Sequence, residues 1–258
     1  MKSLVGRTVL ITRPADQSVE LVRRLRGVGA TSIMAPTIEI VPVRSAALTT
    51  ALRDLTAGRF AWITLTSRAT VEMLASRLDS PVDVRAKVAA IGEGTGKAFR
   101  SWARRSPDLM PATFTTEGLA RAFPRGAGRV LCARADIAPP GLEEALAAKG
   151  WTPERVDAYR TRMARTLPAD ASAALGDGRI DAITFTSAST VRGFVGAMGV
   201  VRGNPKVVCI GPVTAREARA RGLRVSAVAK PHTIEGVVEA LERAFGRTSS
   251  RSPRGGAA

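Results

Sequence analysis

The chain has 258 residues, 45% of them apolar, 24% charged and only 4% aromatic. That balance excludes a disordered chain, a fibrous repeat and a disulfide-stapled miniprotein. Its 39 Lys and Arg against 22 Asp and Glu give a formal charge of +17, which suits a polyanionic partner: a nucleic acid, a phosphorylated ligand or a small molecule with several carboxylates. Only six of the basic residues are Lys, so a genomic bias toward Arg explains part of the excess and charge alone does not choose among the three.

Taken along the chain, Lys2 precedes an apolar stretch broken at Gly6 and Arg7, which leaves no hydrophobic region for a secretory leader. No apolar run is long enough to span a bilayer, so a soluble cytoplasmic protein without membrane contact is expected. Val19 to Leu25 carries helical spacing, with Asp16 ahead of it and Gly27 and Gly29 behind. The apolar run Ala61 to Leu65 ends in Thr66-Ser67 and leads into a helix pattern at Val71, Leu74 and Leu78. Val88 to Ile91 ends in Gly92-Glu93-Gly94-Thr95, and Val130 to Ala133 ends near Arg134. Leu142 to Lys149 forms a helix closed by Gly150. Ile183 to Phe185 ends in Thr186-Ser187 before a helix at Val191, Phe194 and Met198. Val207 to Ile210 ends in Gly211-Pro212-Val213-Thr214, and Ile234, Val237, Val238, Leu241 and Phe245 mark a last helix. Residues 248–258 read as a disordered tail.

An internal repeat organises these elements. Asp181 to Ser187 repeats Ala61 to Ser67 at an offset of 120, and Val207 to Gly211 repeats Val88 to Gly92 at an offset of 119. Ile234 to Val237 echoes Thr116 to Leu119, and Gly128-Arg129 through Arg134 echoes Gly6-Arg7 through Arg13. Four segments in the same order at nearly one spacing indicate a duplicated unit. Apolar runs alternating with amphipathic helices predict an α/β fold of two similar domains, each a parallel sheet with helices on both faces in the flavodoxin-like manner.

In such sheets ligands bind beyond the carboxyl ends of the strands, where helix N-termini present backbone N–H groups. Small hydroxyl and glycine residues stand at those turns in both halves. Singly they are ordinary caps and turns; repeated on two facing domains, they predict a cleft that receives several anionic arms. Metal chemistry has little to draw on, since the two cysteines, Cys132 and Cys209, sit in apolar runs and His232 is the single histidine. A Walker A loop, a helix-turn-helix, a zinc finger and a basic-aromatic surface are all missing, so nucleic acid is not an expected partner. Tyr159, the single tyrosine, lies past the midpoint of the chain in Val156-Asp157-Ala158-Tyr159-Arg160-Thr161, where a surface role and a functional one are equally open.

Val9 to Pro14 (VLITRP), Ile63 to Val71 (ITLTSRATV), Ala90 to Thr95 (AIGEGT), Thr115 to Leu119 (TTEGL), Asp157 to Thr161 (DAYRT), Thr184 to Val191 (TFTSASTV), Ile210 to Ala215 (IGPVTA) and Pro231 to Val237 (PHTIEGV) together resemble uroporphyrinogen-III synthase. The resemblance spans about residues 5–245. It implies a monomeric cytoplasmic enzyme that closes the linear tetrapyrrole hydroxymethylbilane into uroporphyrinogen III, inverting the last ring and losing water, with no metal or organic cofactor. It also implies that the first βα unit is exchanged, so that residues 1–36 join 164–247 as one domain, residues 42–158 form the other, and two strands near Thr37–Val41 and Ala158–Met163 link them. Tyr159 then stands at the mouth of the cleft and matches the family tyrosine that assists the departing hydroxyl. By the same resemblance Thr66, Ser67, Thr95, Thr116, Thr186, Ser187, Gly211 and Thr214 hold carboxylate arms, with Gly92, Arg13 and Arg134 beside them. Lys206 matches a family lysine, more structural than catalytic, while His232 departs from the usual pattern and has no assigned role. The alternative from another class is a two-domain cytoplasmic ligand-binding or sensor protein for a polyanionic small molecule, which has no use for Tyr159.

Overall fold

A computed structural model describes residues 3–80 and 84–246, and the expected tail at 248–258 lies outside the described residues. The chain divides into two compact units, one built from residues 1–39 with 162–258 and the other from residues 40–161.

In the first unit, β1 (Thr8–Ile11), α1 (Val19–Gly27) and β2 (Thr31–Met34) precede the departing strand β3 (Ile38–Pro42). The unit resumes after the returning strand with α7 (Ala169–Gly176), β8 (Ala182–Phe185), α8 (Ala188–Ala197), β9 (Lys206–Cys209), α9 (Pro212–Ala220), β10 (Val225–Val228) and α10 (Ile234–Gly246). The second unit holds α2 (Ala46–Thr56), β4 (Trp62–Leu65), α3 (Arg68–Ala75), β5 (Lys87–Ala90), α4 (Glu93–Ala103), α5 (Thr116–Ala122), β6 (Arg129–Ala135), α6 (Gly141–Ala147) and the long returning strand β7 (Thr152–Met163).

The strand orders are β10-β9-β8-β1-β2 and β3-β7-β6-β4-β5. Parallel pairing joins β2, β1, β8, β9 and β10 in the first sheet and β5, β4, β6 and β7 in the second. The repeated segments occupy equivalent places: β8 lies between β9 and β1 as β4 lies between β5 and β6. Where the first sheet has β10, the second has only a parallel bridge between Leu109 and Ala89. Its far edge carries β3 instead.

Each strand divides its side chains between two cores, which is why it reads as a continuous apolar run. Ile63, Leu65, Leu131 and Ala133 pack under α2, α3 and α4, whereas Trp62, Val130 and Cys132 face α5 and α6. In the first unit Leu10, Ile183, Phe185 and Val207 meet α7, α8 and α9, while Val9, Ile11, Ala182 and Val208 meet α1 and α10. The alternation is the period of two of an extended chain.

Some local expectations shift. Helix α3 stops at Ala75, so Leu78 lies past its end, tied back by its N–H to the Leu74 carbonyl at 2.9 Å. The residue capping α1 is Ser18 rather than Asp16, and its hydroxyl turns to the Pro14 carbonyl at 2.8 Å. Among the described residues no helix is long and apolar enough to cross a membrane, and no cluster of three His, Cys, Asp or Glu could hold a metal ion.

Two features of the cores yield predictions. A methyl group placed on Gly236 stands 2.0 Å from the Pro231 carbonyl oxygen, and one on Gly118 stands 2.0 Å from that of Thr113, so backbone passes backbone there with no room for Cβ. Gly236→Ala is expected to cost roughly 1–3 kcal/mol, as overpacked sites do, read as a lowered urea midpoint. Burial pushes the Cys132 and Cys209 thiols up from 9.0 to about 12. Thiols that ionise more readily in the unfolded chain leave stability intact below pH 9 and withdraw it as the pH rises toward 12. A Cys132→Ala/Cys209→Ala variant should show a shallower fall of thermal midpoint across that window than the parent chain.

Candidate functional site

Charged and hydroxyl groups separate along the strands. At the starting ends the side chains are ionic and structural. Arg129, which opens β6, donates to Asp54 of α2 at 2.7 Å and to Glu154 of β7 at 2.6 Å, and its hydrogen bond holds the Asp54 carboxyl below its ordinary value. Arg7 likewise meets Asp181 at 2.8 Å beside the starts of β1 and β8. Lys206 opens β9 and therefore stands at this ionic end, away from the helix-capping turns at which the other candidates cluster.

At the finishing ends of the second unit the turns run into helix N-termini. Ser67 caps α3, its Oγ accepting from the Thr70 N–H at 3.1 Å, with Thr66 half-buried before it. Gly92 precedes α4 without a side-chain cap, so no capping side chain serves the N–H groups that open the helix. Thr95 is buried in that first turn at 6% exposure and does not present its hydroxyl as a cap. At α5 the capping residue is Thr115, which accepts from the Gly118 N–H at 2.9 Å; Thr116, the candidate for holding a carboxylate arm, is the first helical residue.

Arg134 corrects a simple reading of the positive charge. It is 2% exposed, and its guanidinium donates to both Glu143 oxygens, at 3.1 and 2.9 Å, and to the Pro139 carbonyl at 2.8 Å. Its position on β6 explains this, since alternation sends Arg134 toward α6 with Cys132 and Val130. In this structure Arg134 anchors α6 and offers no open cation to a ligand.

Tyr159 stands on β7 at a bulge. Arg134 pairs with Asp157, but the next residue, Ala135, pairs with Tyr159. The extra residue puts Ala158 and Tyr159 in the same core, with Val156, where strict alternation would separate them. Tyr159 reaches the α3 cap and donates its phenol hydrogen to Ser67 Oγ at 2.8 Å. Burial pushes the phenol above its ordinary value, opposed by the Ser67 bond, so it is a neutral hydroxyl at physiological pH.

The first unit repeats the arrangement without the tyrosine. Thr186 is half-buried, and Ser187 caps α8 by accepting from the Thr190 N–H at 3.1 Å. Gly211 begins α9 with no side-chain cap, and Thr214 is buried in its first turn. Arg13 is half-buried just past β1. Two ring positions were not evident from the sequence: Phe114 lies over Gly92, where a built methyl meets its Cγ at 2.8 Å, and His232 lies over Gly211 at 3.6 Å. The signal was present, for Phe114-Thr115-Thr116-Glu117-Gly118 and His232-Thr233-Ile234-Glu235-Gly236 align in the repeat, and Thr233 caps Gly236 at 3.2 Å as Thr115 caps Gly118. The His232 Nδ1 lies 2.8 Å from the Ala229 carbonyl; a carbonyl only accepts, so Nδ1 carries the hydrogen.

The family model for uroporphyrinogen-III synthase HemD matches residues 19–239. The chain belongs to the uroporphyrinogen-III synthase family. It is 31% identical over 256 residues to the uroporphyrinogen-III synthase of Synechococcus elongatus, covering 93% of this chain and 96% of that one. It is also 31% identical over 250 residues to the porphyrin biosynthesis protein HemD of Ruminiclostridium josui, of which it spans about half, 49%. Among solved structures, a mutant uroporphyrinogen III synthase of the extreme thermophile Thermus thermophilus superposes with a TM-score of 0.66 at 21% identity over 93% of this chain and 99% of that one. The Helicobacter pylori uroporphyrinogen-III synthetase does so at 0.59, with 17% identity over 90% of this chain and 97% of that one. At these identities the two structures speak for the fold alone: mixed α/β with parallel sheets.

The buried pair at α6 gives the prediction for this region. Within this member of the uroporphyrinogen-III synthase family, Glu143→Gln leaves the Arg134 charge buried without its counterion and should cost roughly 3–5 kcal/mol. Arg134→Met leaves only the partly exposed Glu143 carboxylate, which water can reach, and should cost clearly less. Urea unfolding of the two variants checks the order.

Proposed function

We propose that this chain closes hydroxymethylbilane into uroporphyrinogen III, acting as a cyclising hydro-lyase of its family in tetrapyrrole biosynthesis. What carries the reading is the family match together with one geometry: a single buried phenol, neutral at physiological pH, at the carboxyl end of a sheet, hydrogen-bonded to the serine that caps one adjoining helix, α3, while another, α4, begins on a glycine without a side-chain cap.

The chemistry asks little covalent help of a protein. Pyrrole nitrogens push out the hydroxyl of the first ring as water, the last ring attacks through its substituted carbon, and fragmentation with reclosure inverts that ring. The enzyme must hold a floppy chain in the reactive fold and stabilise developing charge. Carboxylate arms suit the turns at Thr66-Ser67, Gly92, Thr186-Ser187 and Gly211, where helix dipoles and backbone N–H groups favour anions. Thr95 and Thr214, being buried, act through the backbone of their turns rather than their hydroxyls. Tyr159 is the group assigned to the departing hydroxyl; a neutral phenol can donate to an oxygen that is becoming water, and as a weak acid it assists rather than dominates.

We also take each unit as one flavodoxin-like domain, with the strand segments around residues 37–41 and 158–163 as the linker, and the protein as a cytoplasmic monomer. Support for the first point comes from the first unit, whose order β10-β9-β8-β1-β2 is in chain order the two-one-three-four-five arrangement of that fold. A sensor or binding protein is the weaker reading, since family membership favours the synthase.

Two measurements test this. Purified chain added to freshly made hydroxymethylbilane should yield the type III isomer; formation of the spontaneous type I isomer alone would remove the synthase reading. Tyr159→Phe should keep its unfolding free energy within the roughly 0.5–1.5 kcal/mol of one hydrogen bond. It should lose kcat by about 10²-fold if the phenol gives its proton in the rate-limiting step. A normal kcat in a stable variant takes Tyr159 out of the mechanism.

A further inference from the structure

We propose that Ser67 and Thr70 are positioning residues for Tyr159, forming a one-way hydroxyl relay that holds the phenol as a donor into the α3 cap. The case rests on counting donors and acceptors. A serine hydroxyl has one hydrogen and two accepting lone pairs. Ser67 Oγ accepts the Thr70 N–H at 3.1 Å, which caps the helix, and the Tyr159 O–H at 2.8 Å. With both lone pairs engaged, its own hydrogen points to the remaining neighbour, Thr70 Oγ1 at 3.0 Å. Thr70 Oγ1, now an acceptor on that side, gives its hydrogen to the Ala133 carbonyl of β6 at 3.3 Å. A carbonyl cannot donate back, so the polarity of all three hydroxyls is set from the Ala133 end. Thr70 is fully buried, and the direction is therefore shielded from water.

The repeated segment shows that this is particular to one unit. Ser187 caps α8 in the same way, but its Oγ lies 3.5 Å from Thr190 Oγ1 and nearer, at 2.9 Å, to Ser189 Oγ, and Thr190 Oγ1 gives its hydrogen to the carbonyl of Ser187 itself at 2.8 Å, not to a neighbouring strand. The bulge at Ala158 supplies the phenol in the second unit alone. At rest, then, Tyr159 offers outward the lone pairs of its oxygen while its proton is held by Ser67. To act on a departing hydroxyl, the phenol must first exchange Ser67 for the substrate oxygen. That catalytic consequence rests on the function proposed above, whereas the relay itself does not.

A single tyrosine makes the test direct. The tyrosine Fermi doublet in the Raman spectrum distinguishes a phenol that donates a hydrogen bond from one that accepts, and here it reports Tyr159 without labelling. In the full-length chain at neutral pH the doublet should be of the donor type. It should lose that character in Ser67→Ala and keep it in Ser67→Thr, which retains the hydroxyl. Thr70→Val keeps the α3 cap but removes the acceptor for the Ser67 hydrogen, so Ser67 is freed to donate to Tyr159 and the doublet shifts toward the acceptor type. If Ser67→Ala loses its fold by circular dichroism, Thr70→Val decides alone. A doublet of the acceptor type in the parent chain, or one unmoved by the folded variants, overturns the relay. In turnover, Ser67→Ala should lower kcat by about tenfold with KM moved less, as a misoriented group does. An unchanged kcat alongside a shifted doublet overturns the positioning role. If the doublets behave as expected while only the type I isomer forms, the function is refuted and the relay stands.

Discussion

Parallel strands covered on both faces leave polar side chains one place to go. Along β4, β6, β8 and β9 successive residues enter two different cores, so a charge or hydroxyl in mid-strand must find a partner or be absent. Thr64 and Thr184 show the rule: both are buried, and Thr184 gives its hydroxyl to the Leu10 carbonyl at 3.2 Å. Polar chemistry is thereby driven to the strand ends, and the two ends differ. Strand starts collect ion pairs such as Arg129 with Asp54 and Glu154. Strand finishes collect glycine and small hydroxyl residues, because a helix must begin there and needs oxygen acceptors or empty space.

Tight backbone approach then shapes those finishing ends. Gly118 and Gly236 let α5 and α10 start against the loops before them, and the same loops carry Phe114 and His232 over Gly92 and Gly211. An ornate catalytic group is not needed on such a platform if the substrate carries its own electron push. Positioning and anion-stabilising dipoles are what the proposed reaction demands, and turns made of backbone are suited to both at low entropic cost.

Tyr159 depends on a bulge of a single residue. Without it β7 would keep its alternation, and the phenol would face the side of the sheet that holds Arg134 and Glu143. With it, Ala158 and Tyr159 share the core beneath α3, and the phenol oxygen falls within 2.8 Å of Ser67. Burial raises the phenol and keeps it protonated, so its protonation state and its direction come from the same packing.

The amino-acid sequence by itself determined the elements that depend on near neighbours. Apolar runs of four residues, amphipathic spacing and a repeat near 120 residues were enough for a parallel α/β architecture with hydroxyl and glycine turns at the strand finishes. These features are local or periodic, and side-chain burial leaves their mark directly on composition. Element limits at Leu78 and Asp16 and the cap at Thr115 were less legible, since a cap is decided by which N–H an oxygen meets rather than by residue type. Only the tertiary structure decided which charges are spent. Arg134 is closed off by Glu143 across an α6 contact nine residues along the chain, and Lys206 falls at the ionic end because strand direction, not motif, sets its place. The side of the sheet that Tyr159 faces was beyond the sequence for the same physical reason: a bulge is a disagreement in register between two strands, and register exists only once both strands are paired.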